Sequence, residues 1–133
     1  KLYLKIMRKL TKNQINLINL IQNYKGKYFL STIKIMHLVF DNQKNNVLDS
    51  DYKFIRWDFG PYSSDIERDL YILDYYNYIR KTSKEITHHF VPIKNPFYRK
   101  FNIANESLNF KDLYKYIKTT YDIDSYSRNE IIS

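Results

Sequence analysis

The chain has 133 residues, no cysteine, two glycines and a formal net charge of +8. It is long enough for one domain with a real core, and the missing cysteines exclude disulfides, thiolate catalysis and cysteine-based zinc sites. The charge is unevenly spread: Lys1, Lys5, Arg8, Lys9, Lys12, Lys25, Lys27 and Lys34 precede residue 41 without one acid, while the rest of the chain is balanced, a footprint that fits nucleic acid, an anionic membrane or an acidic protein.

Residues 1–24 read as one long helix or two abutting ones. Leu2, Tyr3, Ile6, Met7, Leu10, Leu17, Ile18, Leu20 and Ile21 fall on one side, with Lys1, Lys5, Arg8, Lys12, Asn16 and Asn19 on the other. Thr11 is a candidate N-cap dividing the halves, and Gly26 is expected to close the segment in a left-handed conformation. Ser31 caps a second helix to about Asp41, with Ile33, Met36, His37 and Phe40 on one face and His37 at the core edge. The polar stretch 42–50 reads as a loop, and Tyr52–Asp58 alternates as a short strand.

The run Trp57-Asp58-Phe59-Gly60-Pro61-Tyr62-Ser63-Ser64-Asp65-Ile66-Glu67 then predicts a strand that ends at Gly60-Pro61, because proline bars a continuing ladder. Ser64 and Glu67 have capping-box spacing for a third helix, and Ile66, Leu70 and Leu73 form its buried face to Tyr75 or Tyr76. Tyr78–Lys81, Glu85–Val91 and Phe97–Ile103 read as strands, the last two joined by a stiff turn containing Pro92 and Pro96. Asn109 caps a final helix with Leu108 and Leu113 as hydrophobic staple and Phe110, Leu113, Tyr114 and Ile117 buried. Ser127 and Glu130 repeat the capping-box spacing in the tail.

This order predicts an α+β, winged-helix-like single domain over residues 1–133. It has four to five helices, a short strand before the third helix and a β-hairpin wing. The segment Phe54–Ile66, with Phe59-Gly60-Pro61-Tyr62-Ser63 at its centre, resembles a signature of the YwgA-like proteins and of the related SocA-type antitoxin (Panacea) domain. That signature is phenylalanine, two or three residues, then tyrosine or phenylalanine-Gly-Pro-aromatic-Ser. The resemblance covers roughly residues 11–105 and departs where the family usually has a glycine near the end of the third helix and this chain has Asn77. It implies a winged-helix-like fold, with transcriptional regulation or toxin neutralisation as the activity, and no catalytic residue.

Catalytic chemistry finds little footing. Two glycines cannot supply a phosphate-binding P-loop or a dinucleotide fingerprint. His88 and His89 are adjacent in a predicted strand and point to opposite faces. Asp49-Ser50-Asp51 lacks the glycine and terminal glutamate of a calcium loop, and Asp51 and Lys53 read as solvated residues flanking a strand. The expectation is no enzyme, no cofactor and no metal. No stretch approaches the roughly 18 consecutive apolar residues of a membrane span, and the start does not read as a signal peptide, so a cytoplasmic protein with no membrane partner is expected. The abundance of Lys, Asn, Ile and Tyr beside a single Ala reads as the output of an AT-rich genome.

The expected partner is duplex DNA, held mainly through its backbone. Lys1, Lys5, Arg8, Lys9 and Lys12, together with Lys94, Arg99 and Lys100 on the wing, would grip phosphates across a monomer or homodimer. Ser63, Ser64 and Arg68 of the third helix could reach a base or phosphate, but Asp65, Glu67, Asp69 and Asp74 make that helix a poor groove reader. The alternative is a protein-interaction module, an antitoxin or inhibitor of a host complex, with no DNA binding.

Overall fold

The computed structural model describes residues 10–88 and 98–132. It is an α+β fold with four α-helices and two small antiparallel hairpins among these residues: α1 (Lys12–Asn23), α2 (Thr32–Lys44), β1 (Ile55–Trp57), β2 (Gly60–Tyr62), α3 (Ser64–Tyr75), β3 (Ile79–Lys81), β4 (Ile86–His88) and α4 (Phe110–Thr120). A 3-10 turn at Ile123–Ser125 follows α4. Helix α1 packs on β4 and α3, α2 on β2 and α4, and α3 on β3. One continuous core joins them, from Leu17, Leu20, Ile35, Leu38 and Phe40 to Phe54, Ile66, Leu70, Leu113 and Ile117.

Helix starts follow local chemistry. Thr11 accepts from Gln14 N at 3.1 Å while Gln14 Oε1 accepts from Thr11 N at 3.0 Å, a reciprocal capping box. Ser31 and Asn109 cap α2 and α4. At α3 the cap is Ser63, not Ser64: Ser63 Oγ accepts from Ile66 N at 3.2 Å. Glu67 is instead held by the Tyr62 hydroxyl, which donates at 2.6 Å, and this bond is the main reason the phenol's pKa is raised.

Several expectations are corrected. Gly26 is not left-handed, since α1 closes on an extended Tyr24. Close packing requires the glycine instead, because a Cβ there would overlap the Tyr24 hydroxyl and the Glu106 carbonyl. Helix α2 runs on to Lys44 and shortens the loop. Pro61 does not end the strand: it pairs with Arg56 in a non-hydrogen-bonded position of the β1–β2 hairpin, where its missing N–H costs nothing. His37 is fully buried rather than at the core edge.

The second hairpin is the larger correction. β4 pairs with β3, Ile79 opposite His88 and Lys81 opposite Ile86, across the turn Thr82–Glu85, and Leu30 adds to its other edge by accepting from Ile86 N at 2.7 Å. Residues 98–103 form no strand. The turn predicted around Pro92–Pro96 and the position of His89 lie outside the described residues.

Residues 47–52 and 98–104 are held by side-chain amides instead of a neighbouring strand. Asn16 both donates to and accepts from the Asp49 peptide at 3.1 Å. Asn42 does the same for Ala104, and Gln43 for Tyr52. Asn23 donates to Arg99 O at 2.8 Å and accepts from Phe101 N at 3.2 Å. Buried peptide groups need partners, and these amides satisfy donor and acceptor together.

Left-handed backbone is handled similarly. Asn46, Asn77, Asn105, Asp122 and Asn129 all have positive φ, the conformation that asparagine and aspartate tolerate best after glycine. Asn77 closes α3 in a Schellman motif, with Tyr78 N donating to Leu73 O and Asn77 N to Asp74 O. The tail forms no helix: Asn129 N donates to Arg56 O while Arg56 N donates to Glu130 O, a bulge with Asn129 at the left-handed position. Ile132 N then donates to Phe54 O, which lays the tail along β1.

Candidate nucleic-acid interface

Helix α3 divides by face. Ile66, Asp69, Leu70 and Leu73 are buried, while Ser64, Glu67, Arg68, Tyr71, Tyr75 and Tyr76 are exposed. The buried aspartate changes the charge of the helix. Asp69 Oδ2 accepts from the Tyr52 hydroxyl at 2.7 Å and Oδ1 from Gln14 Nε2 at 3.0 Å, so its charge is spent inside the fold, and burial with that bond pushes the Tyr52 phenol pKa up. Arg68 lies between Asp65 at 3.5 Å and Asp69 at 3.7 Å. The Asp65 contact is exposed on both sides and contributes little to stability, whereas Asp69 meets the exposed guanidinium from a buried position.

Beyond α3 the chain reverses at Asn77 into β3, and Lys81 N donates to Asp74 Oδ1 at 3.3 Å. Arg80 lines a shallow groove with Asp74, Asn77 and Ile79 at this junction. Arg80, Lys81 and Lys84 are all exposed on the β3–β4 hairpin. None of the three stands out in the sequence, where the strand pattern points to a hairpin of Glu85–Val91 with Phe97–Ile103. The signal was present in Arg80-Lys81-Thr82-Ser83-Lys84, a basic turn directly behind a helix.

The residues singled out from sequence scatter. Lys1, Lys5, Arg8, Lys9 and Lys94 lie outside the described residues. Lys12 faces Asp49 at 3.9 Å. Arg99 is not on a wing: its side chain donates to Val47 O at 3.0 Å and stacks over Phe101. Lys12 and Arg99 therefore meet around the 47–51 loop, where exposed Asp49 and Asp51 offset them, and Lys100 is exposed beside Arg99. Ser63 is buried and engaged as the α3 cap, so it reaches no ligand, whereas Ser64 and Arg68 remain exposed.

Two other polar centres serve the fold. Asp41 is buried and accepts from Tyr121 Oη at 2.5 Å, Asn105 at 2.8 Å and Asn45 at 3.1 Å. His37 donates through Nδ1 to Ile33 O at 2.9 Å, while Nε2 is buried without a hydrogen-bond partner among the described residues. Burial lowers its pKa to about 4. Among the described residues no group of three or more histidines and carboxylates is arranged to hold a metal ion, and no helix is long and apolar enough to cross a membrane.

Comparison of the chain with protein-family models, with curated proteins and with solved structures found no match in any of the three.

Proposed function

We propose that this protein is a winged-helix-like regulator of the YwgA-like and SocA-type kind. It binds duplex DNA through helix α3 and the β3–β4 hairpin, mainly by contacts to the phosphate backbone. The observation that carries the reading is the basic hairpin itself: Arg80, Lys81 and Lys84 stand exposed on the element that follows and packs against α3. Three further features support it. The order is helix, helix, the short β1–β2 hairpin, helix and the β3–β4 hairpin, with Leu30 adding a third strand position to β4. Asp69 is turned inward, which removes one of the four acids that would repel phosphate. Ser64 and Arg68 are exposed at the start of α3, the end that contacts bases in helix-turn-helix proteins.

With Arg68 and the three hairpin cations engaged, the logarithm of affinity should fall with the logarithm of salt concentration with a slope of about −3 to −4. A mobility-shift titration of duplex DNA at several salt concentrations tests this. Absence of binding at low salt refutes it.

A second reading is favoured by one observation. Tyr71 and Tyr75, 67% and 68% exposed one turn apart on α3, continue from Arg68 a stripe of the residue types that dominate protein-interaction hot spots. As an antitoxin-like module the protein would bind a partner through this stripe, and a pull-down that loses the partner on Arg68→Ala with Tyr71→Ala would support it. Tight DNA affinity of the isolated monomer would count against it.

A further inference from the structure

A cavity of about 300 Å³ opens between the C-terminal end of α1, the connection to α2 and strand β4, walled by Tyr24, Lys27, Tyr28, Phe29, Glu85 and Ile86. It lies beside the turn of the hairpin assigned above to DNA, next to Lys84 in sequence. Most of its groups are already engaged. The Tyr24 hydroxyl donates to Tyr28 O and accepts from the buried Lys34 ammonium, both at 2.7 Å. Lys34 and Lys27 sit over the Tyr28 ring, and Lys34 also over Tyr24.

Two groups are not engaged. Phe29 is 63% exposed and makes no ring contact among the described residues, so its faces are open for stacking. The Glu85 carboxylate is only half-buried and has no hydrogen-bond or ion-pair partner among the described residues, although its peptide groups close the Thr82 turn. Exposed Lys27 lines the same cavity, and Lys25 and Lys84, also exposed, neighbour its lining residues in sequence. A free aromatic face, an unused carboxylate acceptor and flanking ammonium groups match, in that order, the π-face, exocyclic amine and phosphates of one nucleotide in a strand. An isolated anion would use the cations and leave Phe29 idle, and an apolar ligand would leave Glu85 unsatisfied.

We propose that this cavity receives an unpaired base carrying an exocyclic amine, adenine, cytosine or guanine, at the single-stranded end of a bound duplex. This rests on the duplex-binding reading and adds a preference for overhangs to it. Every base has a π-face that stacks favourably on an aromatic ring, so an overhang should raise affinity about tenfold.

The test is fluorescence anisotropy of the full chain with three probes: a blunt duplex, and the same duplex with an oligo-adenosine or an oligo-thymidine overhang. The adenosine overhang should bind about tenfold more tightly than the blunt end and more tightly than thymidine. Phe29→Ala should erase the overhang advantage without changing blunt-duplex affinity, and Glu85→Gln should reduce the preference for adenosine over thymidine. Equal affinity for blunt and overhang probes overturns the inference and leaves the duplex reading intact. Failure of all three probes to bind overturns both. Retention of the overhang advantage in Phe29→Ala also overturns the inference.

Discussion

The imidazole of His37 occupies the space where a side chain at Gly60 would stand: a Cβ built there lies 2.7 Å from His37 Nε2. Gly60 also has φ +100, which other residues adopt only with strain. The glycine of the Gly60-Pro61 pair is therefore required twice, by the hairpin and by the helix behind it. Gly60→Ala should destabilise the protein by at least about 2 kcal/mol, read as a lower denaturant midpoint. A loss below about 0.5 kcal/mol would mean that hairpin and helix separate easily.

His37 should make stability depend on pH. Its unfolded pKa is near 6.5 and its folded value about 4, so between these values the unfolded chain binds more protons. The contribution is fully present above about pH 6.5 and is lost as pH falls toward 4, reaching on the order of 3 kcal/mol. Unfolding free energy measured from pH 7 to 4 should fall less steeply in His37→Gln than in the parent protein, and parallel curves would refute the assignment.

Asn42 satisfies both peptide groups of Ala104 from a fully buried position. Asn42→Ala strands that N–H and C=O and should cost about 2–3 kcal/mol. Hydrogen exchange gives a local readout: the Ala104 amide should lose protection well before the amides of α1 or α4.

Asn77 stands at the left-handed residue that ends α3. Asn77→Gly removes the residual strain of a side chain there and should stabilise by a few tenths to about 1 kcal/mol in thermal denaturation. Asn77→Ala should destabilise by a similar amount. A neutral glycine variant with a costly alanine variant would indicate that the asparagine side chain offsets its own strain.

Charge reversal separates the two candidate basic surfaces. Arg80→Glu with Lys84→Glu should abolish duplex binding in a mobility shift, and neutralising the two residues should reduce the salt slope by about 2. Lys12→Glu, beside exposed Asp49, should have a smaller effect. The opposite ranking would move the interface to the N-terminal face.

The elements legible from sequence were those whose determinants are local. Thr11, Ser31 and Asn109 each bond a backbone N–H three residues ahead, and the buried faces of α3 and α4 follow the helical period. Ser63 and Ser64 show the limit, because two adjacent serines can both cap and only the path of the preceding hairpin selects between them. Reading the asparagines as genome bias missed their work: nothing in the order of residues says that Asn16, Asn23 and Asn42 face peptides 33 to 78 positions away.

The sequence by itself determined where α1, α2 and α4 begin and which helix faces are apolar, because each depends on bonds and periodicity within a few residues. Only the tertiary structure decided that β4 pairs with β3, that Asp69 points inward to Tyr52, and that Arg80, Lys81 and Lys84 rather than Arg99 and Lys100 form the basic hairpin. Strand partnership and the burial of a charge depend on groups far apart in the chain, and their energies are settled only when those groups share a core.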